Sequence, residues 1–399
     1  MDREALVLRN RLMADAFHST PLKHQIRRVM LATAAHVPIA TYKPGAIERI
    51  LLIRPDHLGD MLLTTPAITA LRAAKPNAEI HMLVGPWSAD VIAKYPEVNL
   101  VLTLVFPGFS RAPKTNWRSP YQLAYETSRQ LRRIGYSSAI ILRPDHWWGA
   151  MVAKLAGIPE RIGYNVPEVA PFLTNAIEHQ HEHAVVQNLR LIENWTNKLS
   201  PEKISYRFPV DSFDEVYVDG YLEEWGIQRE QPIICIHPGT GTWVKHWQED
   251  KWARVADTLA GQLDAKIVFT GGDHELPLVQ RIVAQMEQSA CVMAGDTRVG
   301  QLGALFKRAR VVLGPDSGPL HLAAAVGTPT VALYGPADPI EFSPWGDPQK
   351  HFVLASDIGC RPCRVLDWGS DDPEMHPCVR EIAVARVLDA ARRAAHFTE

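Results

Sequence analysis

The chain has 399 residues, too many for one ordinary core and enough for two domains. With 46% hydrophobic and 22% charged residues and a net charge of -2, it has a globular composition and none of the overall basicity that suits a nucleic acid. No apolar run reaches the ~18 residues of a spanning helix, MDREALVLRNRL lacks a signal-peptide core, and the five cysteines make no secreted disulfide framework; the cytoplasm is the expected compartment.

Residues 1–45 read as a basic helical arm, with seven basic residues against three acidic ones. Leu22, Ile26, Val29, Met30 and Ala34 recur at helical spacing beside Lys23, Arg27 and Arg28. Two readings stand: a helix packed on the first domain, or an amphipathic helix resting peripherally on the anionic inner face of the plasma membrane.

From Glu48 the pattern alternates strand and helix. RILLIRP, AEIHMLVGP (78–86), NLVLTLVFP (99–107) and SAIILRP (138–144) are short apolar strands, with helices predicted at Ala67–Ala74 and Tyr121–Ile134. Pro66 should kink the first of these or sit in its first turn. The pattern restarts after Pro209 with PIICIHPG, AKIVFTGG, ACVMAG, ARVVLGPD and TPTVALYGP. Helices are predicted at Asp250–Leu263, Leu276–Glu287, Val299–Arg308, Leu320–Val326 and Val379–Phe397. Such alternation predicts two doubly wound α/β domains with parallel sheets, over 46–215 and 216–399. The second includes a Cys-rich segment, 358–380, and a C-terminal helix.

In open α/β sheets ligands bind beyond the carboxyl ends of the strands, and the polar motifs fall there. RPDH occurs twice, at Arg54–His57 and Arg143–His146, each time after an apolar strand. Arg54 and Arg143 suit a bidentate grip on acceptor phosphates or carboxylates, with His57 and His146 beside them; a convenient strand exit explains the repeat equally well. Asp60, in HLGDMLL, is either a helix N-cap or a general base for an acceptor hydroxyl. In the second half, HPGTGTWVKHW offers Gly239, Thr240 and Gly241 as an exposed backbone cradle and Lys245 as a point charge. GPDSGPLHL places Asp316 at a strand end and Ser317, Gly318, Pro319, Leu320 and His321 at a helix start, an anion site or an ordinary capped helix. Together these favour a nucleotide diphosphate. There is no GxxxxGK[ST], and FTGGDHE, with Gly271 and Gly272, is only a weak dinucleotide fingerprint.

The blocks ILLIRPDHLGDMLLTTPAITALR, IHPGTGTWVKHWQEDKWARVADTL, FTGGDHE, AGDT and GPDSGPLHLAAAVGTPTVALYGPADP resemble, in order, the motifs of glycosyltransferase family 9, the ADP-heptose:lipopolysaccharide heptosyltransferases. The resemblance covers about residues 48–350 and implies the GT-B architecture, two Rossmann-like domains facing across a cleft with the donor nucleotide on the C-terminal one. It implies an inverting, metal-independent transfer of a sugar, heptose from ADP-heptose, to a lipopolysaccharide-core or other glycan hydroxyl. Asp60 would be the base and Lys245 would contact donor phosphate. Asp316, Ser317, Gly318 and His321 would line the donor site with Asp296 of AGDT, and His183, in HAVVQNL, would stand on the acceptor side.

Two clusters stand outside these blocks. His179, His181 and His183 alternate in EHQHEH, as a solvated loop or a metal site. Cys360, Cys363, His376 and Cys378 have the spacing of a small structural finger for zinc or iron, a disulfide and free thiols being the alternatives. The rival functions are a nucleotide-sugar epimerase of the same architecture, a protein heptosyltransferase, and a non-catalytic sugar-nucleotide-binding protein.

Overall fold

The computed structural model describes residues 2–19, 21–109, 118–200 and 203–398. Two parallel sheets carry the fold. In the first, β1 (Arg49–Arg54), β2 (Glu79–Val84), β3 (Leu100–Thr103), β4 (Ser138–Ile141), β5 (Glu160–Tyr164) and β6 (Asn175–Ile177) lie in the order 3-2-1-4-5-6. In the second, β7 (Ile233–Ile236), β8 (Lys266–Phe269), β9 (Ala290–Val292), β10 (Val311–Pro315), β11 (Thr330–Tyr334) and β12 (His351–Ala355) lie in the order 12-11-10-7-8-9. This is the same winding, so each half is a complete Rossmann-type sheet. The central strands read as unbroken Ile and Leu because helices cover both faces: Ile50, Leu51, Leu52 and Ile53 of β1 are all buried.

The helices that matter for the site are α1 (Arg3–His18), α2 (Leu22–Ala35), α3 (Leu58–Leu62), α4 (Thr65–Ala74), α5 (Ser119–Ile134), α6 (Trp147–Leu155), α7 (Ala184–Arg190), α8 (Gly318–Ala325) and α9 (Val384–Ala395). Pro66 lies in the first turn of α4, where a missing N–H costs nothing, and the helix begins two residues earlier than its apolar pattern predicts. Among the described residues no helix is long and apolar enough to cross a membrane.

Contacts divide the chain into an N-terminal unit, Thr20–Ser205, and a C-terminal unit formed by Tyr206–Glu399 together with Met1–Ser19. The basic arm is therefore two helices held by different units. α1 is tied to the C-terminal unit by Arg3–Glu381 at 2.8 Å, Arg9–Asp371 at 2.6 Å, and hydrogen bonds from Asn10 to the Met375 carbonyl and from Arg11 to the Gly359 carbonyl. α2 instead buries Leu31 and Ala35 in the N-terminal core, and Arg28 forks onto Glu168 at 3.0 and 2.8 Å.

Candidate functional site

In each sheet the strand order reverses at one point, between β1 and β4 and between β7 and β10. The sequence motifs flank these two points. β1 and β4 are paired in parallel, Ile50 opposite Ser138 and Ile53 opposite Ile141, so both RPDH loops leave the sheet side by side.

There the side chains engage one another. Arg54 is 5% exposed. Its Nε lies 2.7 Å from Asp56 Oδ2, its Nη1 donates to the Leu142 carbonyl at 2.8 Å and to Asn188 Oδ1 at 3.3 Å, and its Nη2 reaches Asp60 Oδ1 at 3.5 Å. Asp56, also buried, takes Arg143 Nη1 on its other oxygen, and Arg143 forks onto Asp145 at 2.5 and 3.2 Å. The result is a row of alternating charge: Asp60, Arg54, Asp56, Arg143, Asp145. Burial alone would raise the Asp56 pKa, but Arg54 and Arg143 hold its carboxyl below the usual range. Arg54 is thus held by partners inside the unit, most closely through Nε and Nη1. Arg143 is committed to two carboxylates in the same way. The second RPDH is thus the partner of the first.

The two histidines part company. His146 is 4% exposed and packs edge-on against Phe106 and Phe109 (ring centroids 5.2 and 5.7 Å). Burial lowers its pKa to about 4, so it is a neutral core ring, not an acceptor contact. His57 is exposed and lies against the Trp87 ring, centroids 5.1 Å apart. The Trp87 indole N–H is anchored on the carbonyls of Pro55 and Asp56 at 3.1 and 3.0 Å. Asp60 is in the first turn of α3 and is not its N-cap, which is His57. The Asp60 side chain, at one end of the row, is 35% exposed, and Asp145, at the other, is 64% exposed. His183 caps α7, its Nδ1 accepting the Val185 N–H at 3.2 Å.

The C-terminal switch point has a parallel construction. The loops after β7 and β10 are joined by Lys245, whose Nζ lies 2.6 Å from Asp316 Oδ2 and 3.3 Å from the Asp316 carbonyl. Ser317 is the N-cap of α8 but makes no side-chain cap, and its hydroxyl is buried without a hydrogen-bond partner. Gly318 and Pro319 form the first turn. A lysine, a helix start and an unmatched hydroxyl are thus brought together at this switch point. Leu320 and His321 are buried within α8, and the His321 carbonyl takes the Tyr206 hydroxyl at 2.9 Å.

The glycine cradle holds a group that sequence reasoning missed. A Cβ on Gly239 would fall 2.1 Å from Glu275 Oε1, and the Gly272 N–H donates to Glu275 Oε2 at 2.7 Å. Gly271 flanks the same carboxylate. Gly239, and less tightly Gly271, therefore make room for Glu275 at the ends of β7 and β8, while Gly272 holds it through its N–H. Its only trace in the sequence is the acid that closes FTGGDHE. Thr240 hydrogen-bonds His246 through its backbone, and Gly241 is exposed. The Asp296 carboxylate accepts the Tyr221 hydroxyl at 2.8 Å, a packing contact within the C-terminal unit.

Cys360, Cys363, His376 and Cys378 line one cavity, which Asn10 of α1 also borders. The thiols are free, and burial pushes them up, Cys378 to about 12. His376 Nε2 is 2.8 Å from Asp371, and its ring centroid lies 5.6 Å from that of Trp243 and 4.3 Å from that of Trp368. As they stand these donors are not among the described groups whose ligand atoms converge within 4.8 Å.

The family model for glycosyltransferase family 9 (heptosyltransferase) matches residues 125–367. The chain is 28% identical over 299 residues to lipopolysaccharide heptosyltransferase 3 of Escherichia coli K12, covering 72% of this chain and 82% of that protein. Its fold is similar to a glycosyl transferase family 9 structure from Veillonella parvula (TM-score 0.74, 24% identity, 90% of this chain and 100% of that one). It is also similar to E. coli ADP-heptose lps heptosyltransferase II (TM-score 0.68, 22% identity, 88% and 99%).

Proposed function

The chain belongs to glycosyltransferase family 9, and from that premise we propose that this glycosyltransferase moves heptose from ADP-heptose to a hydroxyl of a lipopolysaccharide-core glycan, with inversion and without a catalytic metal. The observation that carries the reading is the Lys245–Asp316 pair beside the open start of α8. As the anomeric bond breaks, the departing diphosphate gains negative charge. Lys245 and the N–H groups of the α8 first turn oppose that charge, and the unmatched Ser317 hydroxyl supplies a further donor. Glu275 would accept hydrogen bonds from the ribose hydroxyls, the service an acidic residue performs near the strand ends of other nucleotide-binding sheets. On the acceptor side Asp60 takes the hydroxyl proton as that oxygen attacks the anomeric carbon opposite the diphosphate. The proton ends on Asp60 and the bonding electrons leave with ADP, so the configuration inverts.

Titration calorimetry against ADP-, GDP- and UDP-sugars tests the donor, with tightest binding expected for ADP-heptose. Preference for another nucleotide would overturn that assignment, and conversion of the sugar nucleotide without an acceptor would favour an epimerase. Lys245→Ala should weaken donor binding and lower kcat, each by about ten-fold, since it meets charge that exists in the ground state and grows in the transition state. Unchanged kinetics would place Lys245 outside the reaction.

We also propose that the Cys360, Cys363 and Cys378 thiols hold a structural zinc or iron, with His376 Nδ1 as fourth donor. That all four line one cavity supports this, as does Asp371, which engages the other imidazole nitrogen as carboxylates do at metal-bound histidines, although the ligand atoms would have to draw together around the ion. Protein purified without chelator should carry the metal, and Cys360→Ser should lose it together with thermal stability. Metal-free protein with a melting point indifferent to that substitution would leave the cluster as packed thiols.

A further inference from the structure

We infer that the N-terminal unit carries a docking face for an anionic membrane surface, made by α2 and α5 and not by α1. Leu22, Ile26, Val29 and Met30 fall on one side of α2, at i, i+4, i+7 and i+8, and are 53–70% exposed in the whole chain. Leu31 and Ala35, on the opposite side, are the ones in the core. Four large apolar side chains on one outward face are unusual for a soluble surface and mark a contact.

The chemistry around this face indicates what covers it. α2 carries Lys23, Arg27 and Arg28 and no acidic residue, and α5 carries Arg129, Arg132 and Arg133 against Glu126 alone. Of these, Arg28 is neutralised by Glu168. The two helices meet through Trp147: the Arg27 guanidinium lies over its ring at 5.5 Å and the Tyr121 ring is 6.5 Å away. Tyr121 and Tyr125 are exposed. Apolar anchors, Trp and Tyr, and a basic surround are what a headgroup interface with negative lipids binds. A second copy of the chain fits less well. A two-fold contact sets the same patch against itself, and two patches of the same positive sign would be brought together. α1 also exposes Leu8, Leu12 and Phe17, but its Arg3, Arg9 and Arg11 are spent within the C-terminal unit, so it lacks the basic surround. The inference does not rest on the proposed chemistry and survives its failure.

The test is co-sedimentation of the full chain with vesicles of equal parts phosphatidylglycerol and phosphatidylethanolamine, and with phosphatidylcholine vesicles, at low and high salt. Binding is expected to the anionic vesicles alone, weaker at high salt. Two variants probe the face: Ile26→Ser with Val29→Ser and Met30→Ser, and Arg129→Gln with Arg133→Gln. All five residues are exposed, so melting should stay at the wild-type value. Each variant should lower vesicle partitioning about ten-fold or more. Arg3→Gln with Arg11→Gln should leave it unchanged. The inference is overturned if wild-type protein ignores anionic vesicles, if both face variants bind like wild type, or if the apolar substitutions merely split a dimer that does not bind lipid.

Discussion

Asp60→Ala should abolish glycosyl transfer while leaving donor affinity nearly unchanged. The groups proposed to face the donor phosphate, Lys245, Ser317 and Gly318, belong to the C-terminal unit and Asp60 to the N-terminal one, so the substitution alters none of them. Loss of a positioned general base costs about 10²–10⁴ in rate. Arg54, which meets Asp60 at 3.5 Å, keeps Asp56, Leu142 and Asn188 as partners after the substitution. Single-turnover transfer and calorimetry with ADP on the same sample separate the two effects. Turnover near the wild-type level would return Asp60 to a role in the first turn of α3, where a negative charge favours the helix in any case.

Asp56→Ala should strongly destabilise the N-terminal unit. Asp56 is 2% exposed and is the shared counter-ion of Arg54 and Arg143. Its removal strands a buried guanidinium, and breaking a buried pair from one side costs about 3–5 kcal/mol. Urea unfolding measures this, and a loss under ~1 kcal/mol, the range of exposed pairs, would mean that the arginines find other partners. The same group sets a pH dependence. Its carboxyl titrates below the usual range in the folded protein, so the unfolded chain takes up the proton first as pH falls. The stabilisation is present above the unfolded carboxylate pKa and is lost as pH drops through the lower, folded value. Wild-type protein should therefore lose stability on acidification more steeply than Asp56→Ala.

Much of the architecture was legible in the sequence, because buried parallel strands are short apolar runs punctuated by Gly and Pro. β1, β4, β7, β10 and β11 announce themselves in that way. β5 (ERIGY), β6 (NAI) and β12 (HFVLA) do not: β5 is polar, β6 is short, and β6 and β12, at the sheet edges, are only partly buried. Local sequence also marked the loops that carry the chemistry, since a strand end rich in Gly, Asp and Lys has few other uses.

It could not say what those loops touch. An arginine at a strand exit suits an acceptor phosphate and a neighbouring aspartate equally well. Only the pairing of β1 with β4 at the switch point sets Asp56 between Arg54 and Arg143 and turns two apparent ligand clamps into one internal charge row. Glu275 escaped notice for the same reason: its proximity to Gly239 exists only because β7 and β8 are neighbours. The basic arm is the third case. Helical spacing predicted an amphipathic helix over Leu22–Ala34, but amphipathicity does not identify the partner of either face. That α1 binds the C-terminal unit while α2 turns its second apolar face to solvent was decided by contacts between residues hundreds of positions apart, such as Arg3 with Glu381, which no local period encodes.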